Sequence, residues 1–187
     1  MKHPKMATAV ITIIVVGVLG CALGLIVLFS GVYNVSATSP HSGIVASLLD
    51  AAMGSSVEAH AEGIQAPANF EKIDPNTGVE HYRGMCEMCH GGPGIKPSEI
   101  GQGLYPPPPN LQESAGDWTP AQLYWIIKNG VKDTGMPAFG PTHSDEKLWA
   151  ITAFVKKLPK MTPQQYQTMK APPGAEEKHE EHGGADK

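Results

Sequence analysis

The sequence predicts an all-α protein in which a single N-terminal transmembrane helix precedes a small helical domain. Residues 7–29 are almost wholly apolar. Further along, apolar residues recur at helical spacing, between Ser/Thr-x-x-Glu/Gln patterns that commonly begin helices. No stretch of useful length alternates apolar and polar residues as a half-buried strand does. Together these three observations favour helices joined by loops.

The apolar stretch is long enough to cross a bilayer. At 1.5 Å per residue it reaches about 35 Å, and residues 6–49 contain no Asp, Glu, Lys or Arg. Lys2 and Lys5 precede it, which places the N-terminus in the cytoplasm and everything after residue 30 on the outer side. A cleaved signal peptide would have an apolar region of only about 7 to 15 residues. We therefore expect residues 1–30 to be an uncleaved anchor.

Cys21 offers a second alternative, because the residues before it faintly resemble a bacterial lipoprotein signal. The chain stays apolar after Cys21, where a lipoprotein would turn polar. We expect Cys21 to be a small apolar residue of the membrane span. All three interpretations export the rest of the chain.

Residues 31–74 are interpreted as a juxtamembrane segment and a linker. Six apolar residues recur there at helical spacing: Ile44, Val45, Leu48, Leu49, Ala52 and Met53. This pattern predicts a short amphipathic helix that ends at Gly54 and is followed by a linker over residues 54–74. The helix could rest on the bilayer, pack on a partner subunit or dock on the following domain, and the pattern does not separate these possibilities.

Residues 75–160 are predicted to form a compact helical domain. Its first helix should begin at a capping box, Thr77 with Glu80, and end at Gly91. A Gly/Pro-rich loop over residues 91–116 follows. Thr119 and Gln122 form a second capping box, whose helix Gly130 should close.

The last core helix should begin at Ser144 and stop at Pro159. Residues 161–187 are predicted to hold a short helix begun by Thr162 and then a tail of disordered composition. Two histidines in that acidic tail, His179 and His182, could bind a transition metal weakly, but a solvated charged tail is the simpler interpretation.

One motif carries chemistry, namely Cys86-Glu87-Met88-Cys89-His90. Two cysteines three residues apart share one face of a helix, as two thioether bonds to one porphyrin require. The C-x-x-C-H pattern is typical of c-type haem attachment. A zinc site would need a second C-x-x-C, which a chain with three cysteines lacks. A thioredoxin-like redox pair would need a surrounding βαβ pattern.

The composition agrees with a small haem-containing domain. Net charge is −4, which argues against a nucleic-acid partner. A domain of roughly 85 residues has a poor surface-to-volume ratio. A buried porphyrin would supply apolar core that such a domain lacks.

Three segments in order and spacing resemble a class I c-type cytochrome: residues 81–91, 109–111 and 135–139. The resemblance covers roughly residues 75–160 and implies a mono-haem, membrane-anchored bacterial cytochrome with its first and last core helices packed together. It also implies that His90 and Met136 are the axial iron ligands and that the carbonyl of Pro109 holds the His90 imidazole. Four consecutive prolines, 106 to 109, leave the register of the last match open.

Among eight methionines, Met136 is best placed to be the second ligand. It lies in a loop between two predicted helices and precedes Pro137, which stiffens the backbone. One alternative is that Met136 only fills space in the hydrophobic core. The other is that His143, and not Met136, is the second ligand.

The sequence therefore predicts one covalently attached haem c, held by Cys86 and Cys89, in a single-pass protein of the bacterial inner membrane with its haem domain in the periplasm. Its expected role is to carry single electrons between respiratory-chain partners at the membrane, without a small-molecule substrate and without being an enzyme itself. The alternatives are a haem-bearing subunit of a larger oxidoreductase complex, or a haem peroxidase or gas sensor if Met136 is not bound.

Overall fold

The computed structural model describes residues 4–170, and this part of the chain separates into two compact units at the Ser39–Pro40 boundary. The first unit contains one long helix, α1 (Pro4–Phe29). Residues 6–29 of α1 have a mean hydropathy of 2.9, and none of them is buried within the unit. A helix this long and apolar meets the length and composition needed to span a membrane. Lys2, on which the predicted orientation partly depends, lies outside the described residues.

The second unit is helical, as predicted, and among the described residues its only extended pairing is an isolated bridge between Gly92 and Ile95. Its helices are α2 (Gly43–Ala61), α3 (Asn76–His81), a π-helical segment (Tyr82–Cys86), α4 (Glu87–His90), α5 (Glu99–Gln102), α6 (Leu111–Ser114), α7 (Pro120–Asn129), α8 (Asp145–Lys157) and α9 (Pro163–Thr168). Short 3₁₀ turns cover Phe70–Lys72 and Leu158–Lys160.

Helices α3 and α8 cross closely, which confirms the packing of first and last core helices that the resemblance implies. Gly78 makes the crossing possible. A Cβ added there would lie 2.8 Å from the Ala150 carbonyl carbon and 2.9 Å from the Cβ of Phe154. Leu148, Ile151 and Phe154 are fully buried beneath the crossing. The core of the unit therefore lies where α3 meets α8.

Replacing Gly78 by alanine should destabilise this unit by about 1 to 3 kcal/mol, because the added methyl group overlaps backbone that cannot move aside. Chemical denaturation of the full chain in detergent measures the effect. Gly84→Ala is the matched control, since no atom lies within 4 Å of a Cβ added there. Equal stability of the two variants would contradict this account of the crossing.

Helix α7 also packs on α8, and its boundaries follow the sequence signals. The predicted capping box is present, with the Thr119 side chain accepting from the N–H of Gln122. The helix ends at Gly130, whose φ of 67° favours glycine. The rings of Tyr124 and Trp149 stack with centroids 4.1 Å apart. Ser144 caps α8 and a capping box begins α9, as predicted.

The start of α3 differs from the prediction, and the Thr77–Glu80 capping box was wrong. The Asp74 carboxylate instead accepts from the N–H of Asn76, and the Thr77 hydroxyl donates to the carbonyl of Asp74. An Asp two residues before the first free N–H competes well for this position. The helix therefore begins two residues earlier, at Asn76, and it continues into α4 through the π-helical segment.

The predicted end of α2 at Gly54 was also wrong, because the helix continues to Ala61. A mid-helix glycine costs about 1 kcal/mol. The burial of Val57 and Ala61, which follow Gly54 in the helix, offsets that cost. The first eight residues of the expected linker over residues 54–74 are thus helix, and this helix packs on α7. The loop predicted over residues 91–116 likewise contains the short helices α5 and α6.

The chain after α8 returns to the core. Helix α9 confirms the short helix expected after Thr162, and its Tyr166 is 1% exposed within the central apolar cluster. The acidic tail with His179 and His182 lies outside the described residues. The part of the chain after residue 160 therefore contributes to the fold through α9.

Candidate cofactor site

The Cys-x-x-Cys-His motif lies at the end of a helix with a widened turn. Cys86 ends the π-helical segment, and Cys89 and His90 lie in α4. Cys86 is buried, Cys89 is partly buried, and both are free thiols. Single-turn π-helical segments are frequent at functional sites. Both sulfurs and the imidazole therefore lie within five consecutive residues of one continuous helix.

His90 is held by the backbone of a distant loop. Its Nδ1 lies 2.9 Å from the carbonyl oxygen of Pro109, which can only accept, so Nδ1 carries the proton. The other ring nitrogen, Nε2, is then the one with the free lone pair. Burial lowers the pKa of His90, and the Pro109 hydrogen bond opposes this in part. A neutral imidazole oriented through Nδ1 is the form that ligates metals.

Close backbone contacts fix α4 between two neighbours. A Cβ added at Gly101 of α5 would lie 2.6 Å from the Met88 carbonyl oxygen, so only glycine lets α5 approach. The Ser98 hydroxyl and N–H both donate to the same oxygen, at 2.8 and 2.9 Å. On the other side, the buried Tyr82 hydroxyl donates to the carbonyl of Gly91 at 2.7 Å. The motif is therefore preorganised.

The Cys86 sulfur lies in a buried environment. Burial, with a smaller contribution from Cys89, raises the pKa of Cys86 to about 12. Among residues 4–170, moreover, no three His, Cys, Asp or Glu side chains group as a metal site would require.

Met136 lies in a loop that is fixed to the end of α7. The Val131 N–H donates to the Met136 carbonyl at 3.2 Å, and the Met136 N–H donates to the Thr134 hydroxyl at 3.0 Å. Gly130 lets the loop pass, since a Cβ there would lie 2.7 Å from the Met136 carbonyl oxygen. The Met136 side chain is partly buried. A methionine presented by so constrained a loop suits a fixed ligand.

The loop also contacts the segment that leads to Pro109. A Cβ added at Gly135 would lie 2.8 Å from the Leu104 side chain. The chain carrying Pro109 and the chain carrying Met136 therefore meet at this point. The segment that leads to the partner of His90 is therefore in contact with the loop that carries Met136.

His143, the rival ligand, contacts other aromatic rings. Its ring centroid lies 5.7 Å from that of His81 and 5.7 Å from that of Phe139. Its Nδ1 lies 2.9 Å from the Thr142 hydroxyl. These contacts give the imidazole local partners on the α8 side of the Met136 loop.

A network around Tyr166 supports the attachment helix, and no local sequence pattern indicates it. The Tyr166 hydroxyl donates to the carboxylate of Glu87, inside the Cys-x-x-Cys-His motif. The Arg83 guanidinium lies over the Tyr166 ring, 4.8 Å from its centroid, and donates to the carbonyls of Tyr166 and Met169. Gly92 packs flat on the same ring. Through these contacts helix α9 stabilises the helix that carries the motif.

Tyr166→Phe should reduce the free energy of unfolding by about 1.5 to 3 kcal/mol, since it removes a hydrogen bond to a charged group. A double-mutant cycle with Glu87→Ala, followed by denaturation, isolates the pair. We expect a coupling free energy above about 1 kcal/mol. A coupling near zero would mean that Tyr166 acts through packing alone.

The residues present fit a covalently attached haem. Two cysteines on one helix can form its thioethers, and an imidazole with a fixed tautomer can ligate the iron. A sulfur ligand is offered by an anchored loop. Partly buried apolar side chains, including Leu111, Met85 and Phe139, pack against the core. Nothing in this donor set conflicts with the cofactor.

Comparison with known proteins agrees with this geometry. Residues 74–155 match the family described as cytochrome C oxidase, cbb3-type, subunit III. No curated protein and no solved structure matches the chain. The matched segment runs from just before α3 into α8 and contains Cys86, Cys89, His90, Pro109 and Met136. Residues 74–155 are a c-type cytochrome domain.

Proposed function

We propose, from the c-type cytochrome domain at residues 74–155, that this protein carries single electrons on one haem c at the periplasmic face of a bacterial inner membrane. Cys86 and Cys89 would hold the haem by thioether bonds, and His90 Nε2 and the Met136 sulfur would ligate its iron. When bound, the haem supplies a one-electron iron couple. The domain itself is that of a haem-bearing electron-transfer protein.

The hydrogen bond between His90 and Pro109 is the observation that carries this proposal. At 2.9 Å it fixes the tautomer and the direction of the imidazole. Hydrogen bonding at the second nitrogen also raises the basicity of a ligating histidine. Met136 as the other ligand would leave no open position for a substrate. Such a site favours electron transfer over the binding of a substrate.

Helix α1 supplies the membrane attachment. An anchored domain searches for its partners in two dimensions, which raises their effective concentration. The partners we propose are membrane-associated redox proteins, one as donor and one as acceptor. The chain would then be a carrier, not a catalyst. Since the matching family is described as an oxidase subunit, assembly of this chain into a larger oxidoreductase complex is the alternative within the same function.

Membranes that contain the full chain provide the test. We expect a haem c absorbance that is reduced by respiratory substrates, is reoxidised by oxygen and does not change when carbon monoxide is added to the ferrous form. Membranes with the Cys86→Ala and Cys89→Ala double variant are the control. Carbon monoxide binding to the unaltered protein, with peroxide-dependent turnover, would contradict electron transfer and favour a peroxidase or gas sensor.

A further inference from the structure

Glu87 lies inside the attachment motif and next to the proposed iron ligand along the helix. It follows Cys86 directly and comes three residues before His90 in α4. Side chains three residues apart on a helix are neighbours, with about 5 to 6 Å between their Cβ atoms. Glu87 therefore carries a carboxylate on the same stretch of helix that would hold the haem.

A neutral donor fixes this carboxylate. The Tyr166 hydroxyl donates to it, and the Tyr166 side chain is 1% exposed within the core. Burial, together with the hydrogen bond to Glu87, raises the pKa of Tyr166, so the hydroxyl keeps its proton and donates. The carboxylate is thus held in one place by a group that leaves its charge in being.

The basic side chain that contacts the same tyrosine serves other partners. The Arg83 guanidinium lies over the Tyr166 ring, 4.8 Å from its centroid, and donates to the carbonyls of Tyr166 and Met169 at the end of α9. Within residues 4–170, Glu87 takes part in no ion pair. Its negative charge is therefore not cancelled by a salt bridge inside the described part of the chain.

A structural role alone does not require a charge at position 87. The buried Tyr166 hydroxyl needs an acceptor, and the amide oxygen of a glutamine would supply one. Glu87 is partly buried, and removing a carboxylate from water costs free energy that a neutral acceptor would not cost. The charge is better explained by its effect on the group that the helix would carry.

We propose that the Glu87 carboxylate lowers the reduction potential of the haem and that Tyr166 is the positioning residue that fixes this carboxylate. The inference rests on the proposed function, because it requires haem at Cys86 and Cys89. Oxidation adds one positive charge to the iron, and a nearby negative charge stabilises the oxidised state. Salt screens a partly buried charge less than an exposed one. The pair therefore makes the reduced protein a stronger electron donor.

Redox titration of the full chain in detergent tests the effect of the charge. Glu87→Gln removes the charge and keeps an acceptor for the Tyr166 hydroxyl. We expect the equilibrium constant for reduction to rise by about tenfold, which is about 59 mV for one electron. A loosened helix would change the potential in the opposite direction, because water admitted to a haem favours the more highly charged ferric state.

Glu80→Gln is the matched control for this substitution. Glu80 is exposed and lies seven residues before Glu87, so the same loss of charge should change the potential far less. Glu87→Ala is the second variant if Glu87→Gln does not fold. It removes the charge together with the hydrogen bond, and it should also raise the potential.

Tyr166→Phe tests the positioning role. This substitution keeps the charge of Glu87 and removes the hydrogen bond that stabilises it, so the potential should fall. In the Glu87→Gln background the same substitution should change the potential much less, because no charge is left to fix. Equal changes in the two backgrounds would mean that Tyr166 affects the potential through packing, and they would overturn its proposed role.

Failure of this inference can be distinguished from failure of the proposed function. If Glu87→Gln carries covalent haem and its potential is unaltered or lowered, the effect assigned to Glu87 is wrong and the proposed function stands. If the unaltered chain carries no covalent haem, the proposed function itself fails.

Discussion

Replacing Cys86 and Cys89 together by alanine is expected to abolish covalently bound haem. Both thioether bonds of the proposed attachment come from these sulfurs, which lie on one turn at the end of the π-helical segment. Haem staining of the full chain on a denaturing gel measures the loss, because only covalently bound haem survives unfolding. The folded domain should also lose stability, since the porphyrin would complete a core too small to be stable alone.

Cys21→Ala is the control for this experiment. Cys21 lies in α1, outside the cytochrome domain, and the variant should stain as strongly as the unaltered chain. Each single variant, Cys86→Ala or Cys89→Ala, should retain at most one thioether. A double variant that still stains would contradict attachment through this pair.

Met136→Ala is expected to lower the reduction potential by on the order of 0.1 V and to open the iron to carbon monoxide. Thioether ligation favours ferrous iron, and axial ligands shift haem potentials over a range of about 0.8 V. The loop should keep its course, because its hydrogen bonds to Val131 and Thr134 use backbone atoms of residue 136. Redox titration and a ferrous carbon monoxide spectrum measure both effects.

Two matched variants identify the ligand. Met88→Ala changes an exposed methionine inside the attachment motif and should leave potential and carbon monoxide binding unchanged. His143→Ala should also leave them unchanged if the imidazole serves only its contacts with His81, Phe139 and Thr142. An unaltered potential in Met136→Ala, together with a lowered potential in His143→Ala, would assign the ligand to the histidine.

The helical fold could be predicted from local signals wherever those signals were strong. The capping boxes at Thr119 and Thr162 and the cap at Ser144 mark helix starts that the structure confirms. Each works through a side chain and an N–H only a few residues apart. The helix of membrane-spanning length could also be predicted from the sequence, since its length and composition are properties of one segment.

Features that depend on distant contacts could not be predicted. Gly54 is a typical helix end in the sequence, but α2 continues past it because Val57 and Ala61 are buried and the helix packs on α7. The hydrogen bond between Tyr166 and Glu87 joins residues 79 positions apart. No pattern along the chain reports such a pair, because the fold alone brings the two side chains together.

In the candidate site, too, local features could be predicted from the sequence and features that depend on distant contacts could not. The Cys-x-x-Cys-His motif is local and could be found from spacing alone. Pro109 was ambiguous among four prolines, and the 2.9 Å contact with His90 identifies it as the residue whose carbonyl accepts from the ring. The role of Met136 as a ligand remains a prediction, supported by the anchored loop that presents it.

The mass of the full chain, measured after complete unfolding, tests the central claim most directly. Material from cells competent in cytochrome c maturation should have the mass of the polypeptide plus one haem, and peptide fragmentation should place the added mass on residues 86 and 89. A chain with the mass of the polypeptide alone would contradict the account.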